Sequence, residues 1–232
     1  MRVLITGAAG RIGQVVARGL RQRHQVRGHD RLPMPELDDA VVSDLTDFDA
    51  VLRAAGGMEA CIHLGGRPGG DAWEEIHPSN VVGTYHVFEA CRRAGVKRVA
   101  YASRAGVLNR YPKTTQRTVD LLPTPVGHYT VSKVFGEALA YSYAQQHDMQ
   151  FVCVRIGNFD PERDQPTHPH HLSHGDCVRL FEQAITYPGV RYEVVFGVSA
   201  SNWPLYDLAH GRRAIGYEPR DYAFVPEDQW EK

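Results

Sequence analysis

A tyrosine and a lysine four positions apart, Tyr129 and Lys133, fall at the start of a helical pattern that runs from about Gly127 to Gln146. At that spacing both side chains lie on one helix face, a turn apart. An ammonium beside a phenol lowers the phenol pKa from its reference of about 10, so Tyr129 becomes a general base suited to a hydroxyl proton. A second constellation stands at the other end of the chain, where the strand pattern Val3 to Thr6 runs into Gly7-Ala8-Ala9-Gly10-Arg11-Ile12-Gly13 and then into a helical pattern. There Gly7 permits the tight turn, Gly10 lets backbone approach a pyrophosphate, and Gly13 lets helix and strand pack closely. The helix N-terminus offers free N–H groups to phosphates. Asp30 ends the second strand 17 residues after Gly13, where a carboxylate accepts the adenosine ribose hydroxyls and selects NAD. NADP stays the alternative, because Arg31 next door could partly compensate a 2′-phosphate.

These groups need a scaffold that brings strand ends together. Short β-branched runs recur at Arg2 to Thr6, Gln25 to His29, Ala60 to Leu64, Arg98 to Ala102, Phe151 to Ile156 and Tyr192 to Phe196. Helical patterns at Arg11 to Leu20, Trp73 to Ala94, Gly127 to Gln146 and Gly175 to Thr186 are long enough for parallel crossovers. The expected fold class is α/β, a Rossmann-like doubly wound parallel sheet with a small C-terminal substrate-binding cap. Residues 1–157 read as the NAD-binding Rossmann core and 158–232 as a mixed C-terminal substrate-binding part of the same domain unit, because Pro, His, Asp and Gly follow Gly157 in irregular order. In such a sheet, ligands sit at the carboxyl ends of the strands. Asp44-Leu45, after the third strand, are placed for the adenine edge, and His63-Leu64-Gly65-Gly66, after the fourth, put flexible backbone beside the cofactor.

Composition excludes other classes. With 26 Lys+Arg against 27 Asp+Glu, there is no electrostatic case for nucleic acid or an anionic membrane. No apolar run approaches a membrane span, and the chain reads as cytoplasmic. The four cysteines lie far apart, so neither a disulfide framework nor a zinc knuckle is signalled. His168, His170, His171 and His174 cluster, but Pro166 and Pro169 interrupt them and no carboxylate sits at helical spacing, so no metal is expected.

The Gly spacing and the Tyr/Lys pair together resemble the extended short-chain dehydrogenase/reductase superfamily (the NAD-dependent epimerase/dehydratase family), and within it the uronate dehydrogenases. The resemblance covers nearly the whole chain, continuing through Phe135-Gly136-Glu137, Val154-Arg155-Ile156-Gly157, Ser173-His174-Gly175-Asp176, Val195 to Asn202 and Gly216-Tyr217-Glu218-Pro219. It implies NAD-dependent oxidation of the anomeric hydroxyl of a hexuronic acid to an aldarolactone. The expected cofactor contacts are then Gly7, Gly10, Arg11, Ile12, Gly13, Asp30, Asp44, Leu45, Leu64, Gly65, Gly66, Asn80, Tyr129, Lys133 and Ile156. Relatives often associate through the helices that here start near Trp73 and Gly127, which suggests a homo-oligomer.

The chain also departs from the family. The third catalytic residue of the family, a Ser or Thr just after the fifth strand, aligns with Arg104, and Ser103 stands one position early. Ser103 is the expected third catalytic residue through a one-residue shift of the loop, with Thr130 or Ser132 as alternative hydroxyls. The Asn and His that follow that Ser in uronate dehydrogenases fall on Ala105 and Gly106, the Ser after the HLGG block on Pro68, and the Ser after the VRIG block on Asn158. Arg104, Asn158, Arg163 and Ser173 are the expected substrate contacts, Ser173 being also a candidate helix cap. Arg104 is suited to a carboxylate or phosphate, whereas Arg155 is expected to bury its stem on the sixth strand. Two other readings stay open: a nucleotide-sugar epimerase or dehydratase, against which stands the short chain after Gly157, and a degenerate NAD-binding regulator.

Overall fold

The computed structural model describes residues 1–70 and 72–230. Seven strands, β1 (Arg2–Thr6), β2 (Gln25–Asp30), β3 (Ala40–Val42), β4 (Ala60–His63), β5 (Arg98–Arg104), β6 (Gln150–Ile156) and β7 (Tyr192–Gly197), form one sheet in the order β3-β2-β1-β4-β5-β6-β7. Every neighbouring pair is parallel. The order reverses beside β1, which opens a crevice at the carboxyl ends between β1 and β4. The fold is Rossmann-like.

Both faces of the sheet are covered because successive residues of a strand point to opposite sides. Val3 and Ile5 of β1 enter one core with Val16 and Leu20 of α1 (Arg11–Leu20) and Leu180 and Phe181 of α6 (His174–Thr186). Leu4, between them, enters the other core with Val51 of α2 (Phe48–Ala55), Phe88 of α4 (Gly83–Ala94) and Ala140 of α5 (His128–Gln146). The helical stretch expected from Trp73 begins as α3 (Trp73–Ile76) and passes through a π-helical turn, His77–Val82, before α4. Helix α2 was not visible as a periodicity. It is only 8 residues long and is started by Asp47, whose side chain accepts the Ala50 N–H.

Strand β5 runs two residues past the expected Ala102, and that decides where Ser103 and Arg104 point. The C-terminal part supplies α6 and β7 to the main core, and also a smaller third core around Val107, Phe196, Trp203, Leu205 and Tyr206. Helix α7 (Leu208–Ile215) and the two-stranded β8 (Ala200–Ser201) and β9 (Tyr222–Ala223) complete it. Asp176 ties this layer down. Fully buried, its carboxylate accepts Ser199 Oγ, Arg179 and the backbone N–H groups of Arg220 and Asp221. The four cysteines are free and buried. No helix among the described residues is long and apolar enough to cross a membrane.

Candidate active site

A single cleft of about 1110 Å³ runs along the carboxyl ends of the strands from Asp30 to Tyr206. At its first end, β1 turns into α1 through a backbone that a side chain would block. Gly7 has φ +74°, and a Cβ on Gly13 would lie 2.0 Å from the Gly7 carbonyl oxygen. The N-cap of α1 is Gly10, with no side chain capping it, so the first N–H groups of the helix are open to an anion. The Asp30 carboxylate accepts the N–H groups of Ala9 and Leu32, each at 3.0 Å. This locks the glycine turn onto the end of β2. Arg11, Ile12, Asp44, Leu45, Leu64, Gly65, Gly66 and Ile156 also line the cleft, as expected, and so does Arg31. Thr46 donates its N–H and hydroxyl to Asp44, which holds that carboxyl below its usual range.

Asn80 is buried beside the cleft lining, where its Oδ1 accepts the Arg67 N–H and its Nδ2 donates to the Arg67 carbonyl and to Ser132 Oγ. It shapes the loop after β4. His63 is likewise buried, between the hydroxyls of Thr6 and Thr84, and burial pushes its pKa down to about 3.

At the catalytic end, Tyr129 and Lys133 lie on α5 as the spacing requires. Lys133 Nζ donates to the Ala102 carbonyl at 2.8 Å and lies 5.6 Å from the Tyr129 ring centre. Burial, with a smaller push from Arg104, brings Lys133 down to about 8. Burial raises Tyr129, and the charge that opposes it is Arg104, not the lysine the sequence pointed to. The Arg104 Cζ stands 5.2 Å from the Tyr129 ring centre, and Nη1 donates to Thr130 Oγ1 at 3.3 Å.

Ser103 lines the cleft, but its hydroxyl is engaged. Because β5 continues through it, its side chain alternates to the α5 face and donates to Glu137 Oε1 at 2.6 Å. Glu137 is also paired through two hydrogen bonds of 2.9 Å with Arg155, whose buried stem matches the expectation. The alternative hydroxyls are engaged too: Thr130 accepts from Arg104, and Ser132 Oγ donates to the Tyr129 carbonyl at 2.7 Å.

Of the expected substrate contacts, Arg104 and Asn158 line the cleft. Arg163 is exposed and lies 4.0 Å from Asp160, outside it. Ser173 is buried as the N-cap of α6, accepting from Asp176 N–H and donating to Asp221. Their places are taken by Asn109, Phe159, His170 and Tyr206, which the sequence reading missed. His170 Nδ1 is hydrogen-bonded to Tyr206 Oη at 2.6 Å, and burial, with neighbouring positive groups, lowers its pKa to about 4. The histidine cluster packs as rings, His168 stacking on His170 with centres 4.7 Å apart. Among the described residues no group of three His, Cys, Asp or Glu side chains is placed to hold a metal ion.

Comparison with known proteins accords with this geometry. The model of the NAD dependent epimerase/dehydratase family matches residues 3–184. The chain belongs to that family. Among family relatives, the NAD-dependent glucose-6-phosphate dehydrogenase of Haloferax volcanii is 35% identical, across 94% of this chain and 93% of its own length. A uronate dehydrogenase of Pseudomonas syringae is 35% identical, over 97% of this chain and 83% of that protein. A crystal structure of a mutant uronate dehydrogenase from Agrobacterium tumefaciens complexed with NAD superposes with a TM-score of 0.89 at 33% identity, covering 96% of this chain and 85% of that one.

Proposed function

We propose that this protein is an NAD-dependent oxidoreductase that oxidises a sugar hydroxyl, its substrate a hexuronic acid or related acidic sugar and its product the lactone. The observation that carries this reading is the continuity of the cleft: the open N-terminus of α1 and the Asp30 carboxylate at one end share one cavity with Tyr129 and Lys133 at the other. The first end fits NAD. The glycine turn leaves a cradle that a Cβ would fill, and Asp30 keeps acceptor capacity beyond its two backbone partners. Bound NAD would supply the acceptor for the hydride that leaves the hydroxyl carbon, so the carbon is oxidised by two electrons while the hydroxyl proton goes to Tyr129.

The protein's own part is positioning and proton transfer. Lys133, fixed on the Ala102 carbonyl, keeps a cation behind the phenol, and Tyr129 removes the proton. Five basic side chains (Arg11, Arg31, Arg67, Arg104 and Lys133) line the cleft against Asp30, Asp44 and Glu75, and Glu75 is itself held by Arg67 at 2.8 Å. That balance suits an acidic substrate. Residues 158–232 supply the substrate side through Asn158, Phe159, His170 and Tyr206. The names of the relatives add support for sugar oxidation and none of comparable strength for epimerisation. The same reading makes the protein a cytoplasmic homo-oligomer with a small-molecule partner and no nucleic-acid one.

NADH formation, followed by absorbance with glucuronate, galacturonate, their neutral aldoses and sugar phosphates, tests the proposal. Turnover of an acidic sugar is expected. Absence of NADH with every sugar, together with interconversion of a nucleotide sugar, would overturn it.

A further inference from the structure

The three hydroxyls that β5 and α5 place beside Tyr129, those of Ser103, Thr130 and Ser132, all have hydrogen-bond partners. Ser103 lines the cleft but donates to Glu137, Ser132 donates to the Tyr129 carbonyl, and Thr130 accepts from Arg104; neither Ser132 nor Thr130 lines the cleft. What does reach the cleft beside Tyr129 is a guanidinium. Arg104 is the last residue of β5, in regular extended backbone with φ −142° and ψ 142°. Its side chain folds back over the following turn and packs on Gly106, where a Cβ would lie 2.5 Å from Nε and from Nη2, so a larger residue there would make the flexible guanidinium shift. Among the described residues Arg104 forms no ion pair with a carboxylate, in contrast to Arg155 and Arg179, which do. Its one hydrogen bond, through Nη1 to Thr130, leaves most of its five donors for the cleft.

We propose that Arg104 is a catalytic residue in this chain: it donates an N–H to the substrate oxygen that loses its proton to Tyr129, doing what a hydroxyl would otherwise do. The inference rests on the dehydrogenase reading. A base within hydrogen-bond reach of the reacting hydroxyl fixes that oxygen at about 2.6–3.2 Å from the phenol oxygen, and a guanidinium packed over the same ring stands beside it. The negative charge growing on that oxygen as the proton leaves is stabilised by a preorganised positive donor. Arg104 Cζ, at 5.2 Å, is nearer the Tyr129 ring centre than Lys133 Nζ, at 5.6 Å. The other charged or titratable groups that face Tyr129 are Lys133 on its own helix, tied to Ala102, and Tyr101 from β5.

Two perturbations separate this role from simple capture of an acidic substrate. Arg104→Met removes the guanidinium, and Gly106→Ala leaves it in the chain but shifts its tip against the new methyl. Arg104→Met is expected to lower kcat by roughly 10² on acidic and neutral sugars alike, and Gly106→Ala by less, with NAD affinity, read by fluorescence titration, unchanged in both. Free guanidinium at millimolar concentration should partly restore Arg104→Ala and leave Gly106→Ala as it was. In cofactor-free protein carrying ¹³Cζ-labelled tyrosine, with Tyr129→Phe assigning the signal, ionisation of Tyr129 should move to higher pH in Arg104→Met. If Arg104→Met only raises KM for acidic sugars and spares kcat on neutral ones, Arg104 is an anion clamp and the proposal is wrong. If Arg104→Ser gains activity over the wild type, the arginine obstructs the site and the proposal is equally wrong. If the wild type binds NAD yet turns over no sugar, the dehydrogenase reading itself fails, and this inference with it.

Discussion

Cofactor choice is the sharpest consequence of Asp30. Its carboxylate offers about four acceptor positions, and the N–H groups of Ala9 and Leu32 take two of them at 3.0 Å. The remaining positions suit the ribose hydroxyls, and a hydrogen bond to a charged group contributes about 1.5–3 kcal/mol. The substitution Asp30→Ala should therefore weaken NAD binding by about 10- to 100-fold, at roughly 1.4 kcal/mol per tenfold. A 2′-phosphate meeting Asp30 at about 4 Å would be repelled by about 1–4 kcal/mol per charge pair, the range between bulk water and a protein surface, with Arg31 offsetting part of it. The wild type should accordingly bind NAD at least about tenfold more tightly than NADP, and Asp30→Asn, which keeps an acceptor oxygen and removes the charge, should narrow the gap mainly by admitting NADP. Fluorescence titration with both reduced cofactors measures this. Because Asp30 also anchors the glycine turn, thermal unfolding of each variant separates lost cofactor contacts from a loosened loop. Equal affinity of the wild type for the two cofactors, or a ratio unmoved by both substitutions in folded protein, would refute the reasoning.

Three further outcomes follow from the site. Tyr129→Phe keeps the ring between Arg104 and Lys133 and removes only the hydroxyl, so it should lower kcat by about 10² or more with NAD affinity intact, measured by steady-state kinetics and titration. Ser103→Ala should leave kcat near the wild-type value and cost about 1.5–3 kcal/mol in urea unfolding, since that hydroxyl serves the buried Glu137; a large loss of kcat in a stable variant would return Ser103 to the catalytic set. His63 and His170 are held neutral, with pKa values lowered from 6.5 to about 3 and about 4. The unfolded chain binds those protons first, so stability should fall as pH drops from 6.5 towards 4, by up to about 1.4 kcal/mol per pH unit for buried His63. Urea midpoints between pH 7 and 4.5 check this, and His63→Asn should flatten the slope.

Local rules carried the first half of the molecule. A strand feeding a Gly-x-x-Gly-x-x-Gly turn and a helix has few other uses, and Asp30 at the end of the next strand is set by sheet register, so the glycine turn and the carboxylate beside it in the cleft were legible in the sequence. So was the helix that puts Tyr129 and Lys133 one turn apart. What the sequence could not decide was which way side chains face where periodicity ends. Two more residues of β5 sent the Ser103 hydroxyl to Glu137 and carried Arg104 to the strand end, where its longer side chain reaches Thr130 and the cleft. Beyond Gly157, loop residues were assigned to substrate by charge and type. There tertiary packing overruled them: Ser173 went to a helix cap, Arg163 to solvent, and His170 and Tyr206, 36 residues apart, met in the cleft wall through one hydrogen bond. Loops carry no period from which such meetings can be read. Chain spacing brings Lys133 near the phenol, but only the folded sheet end brings Arg104 there.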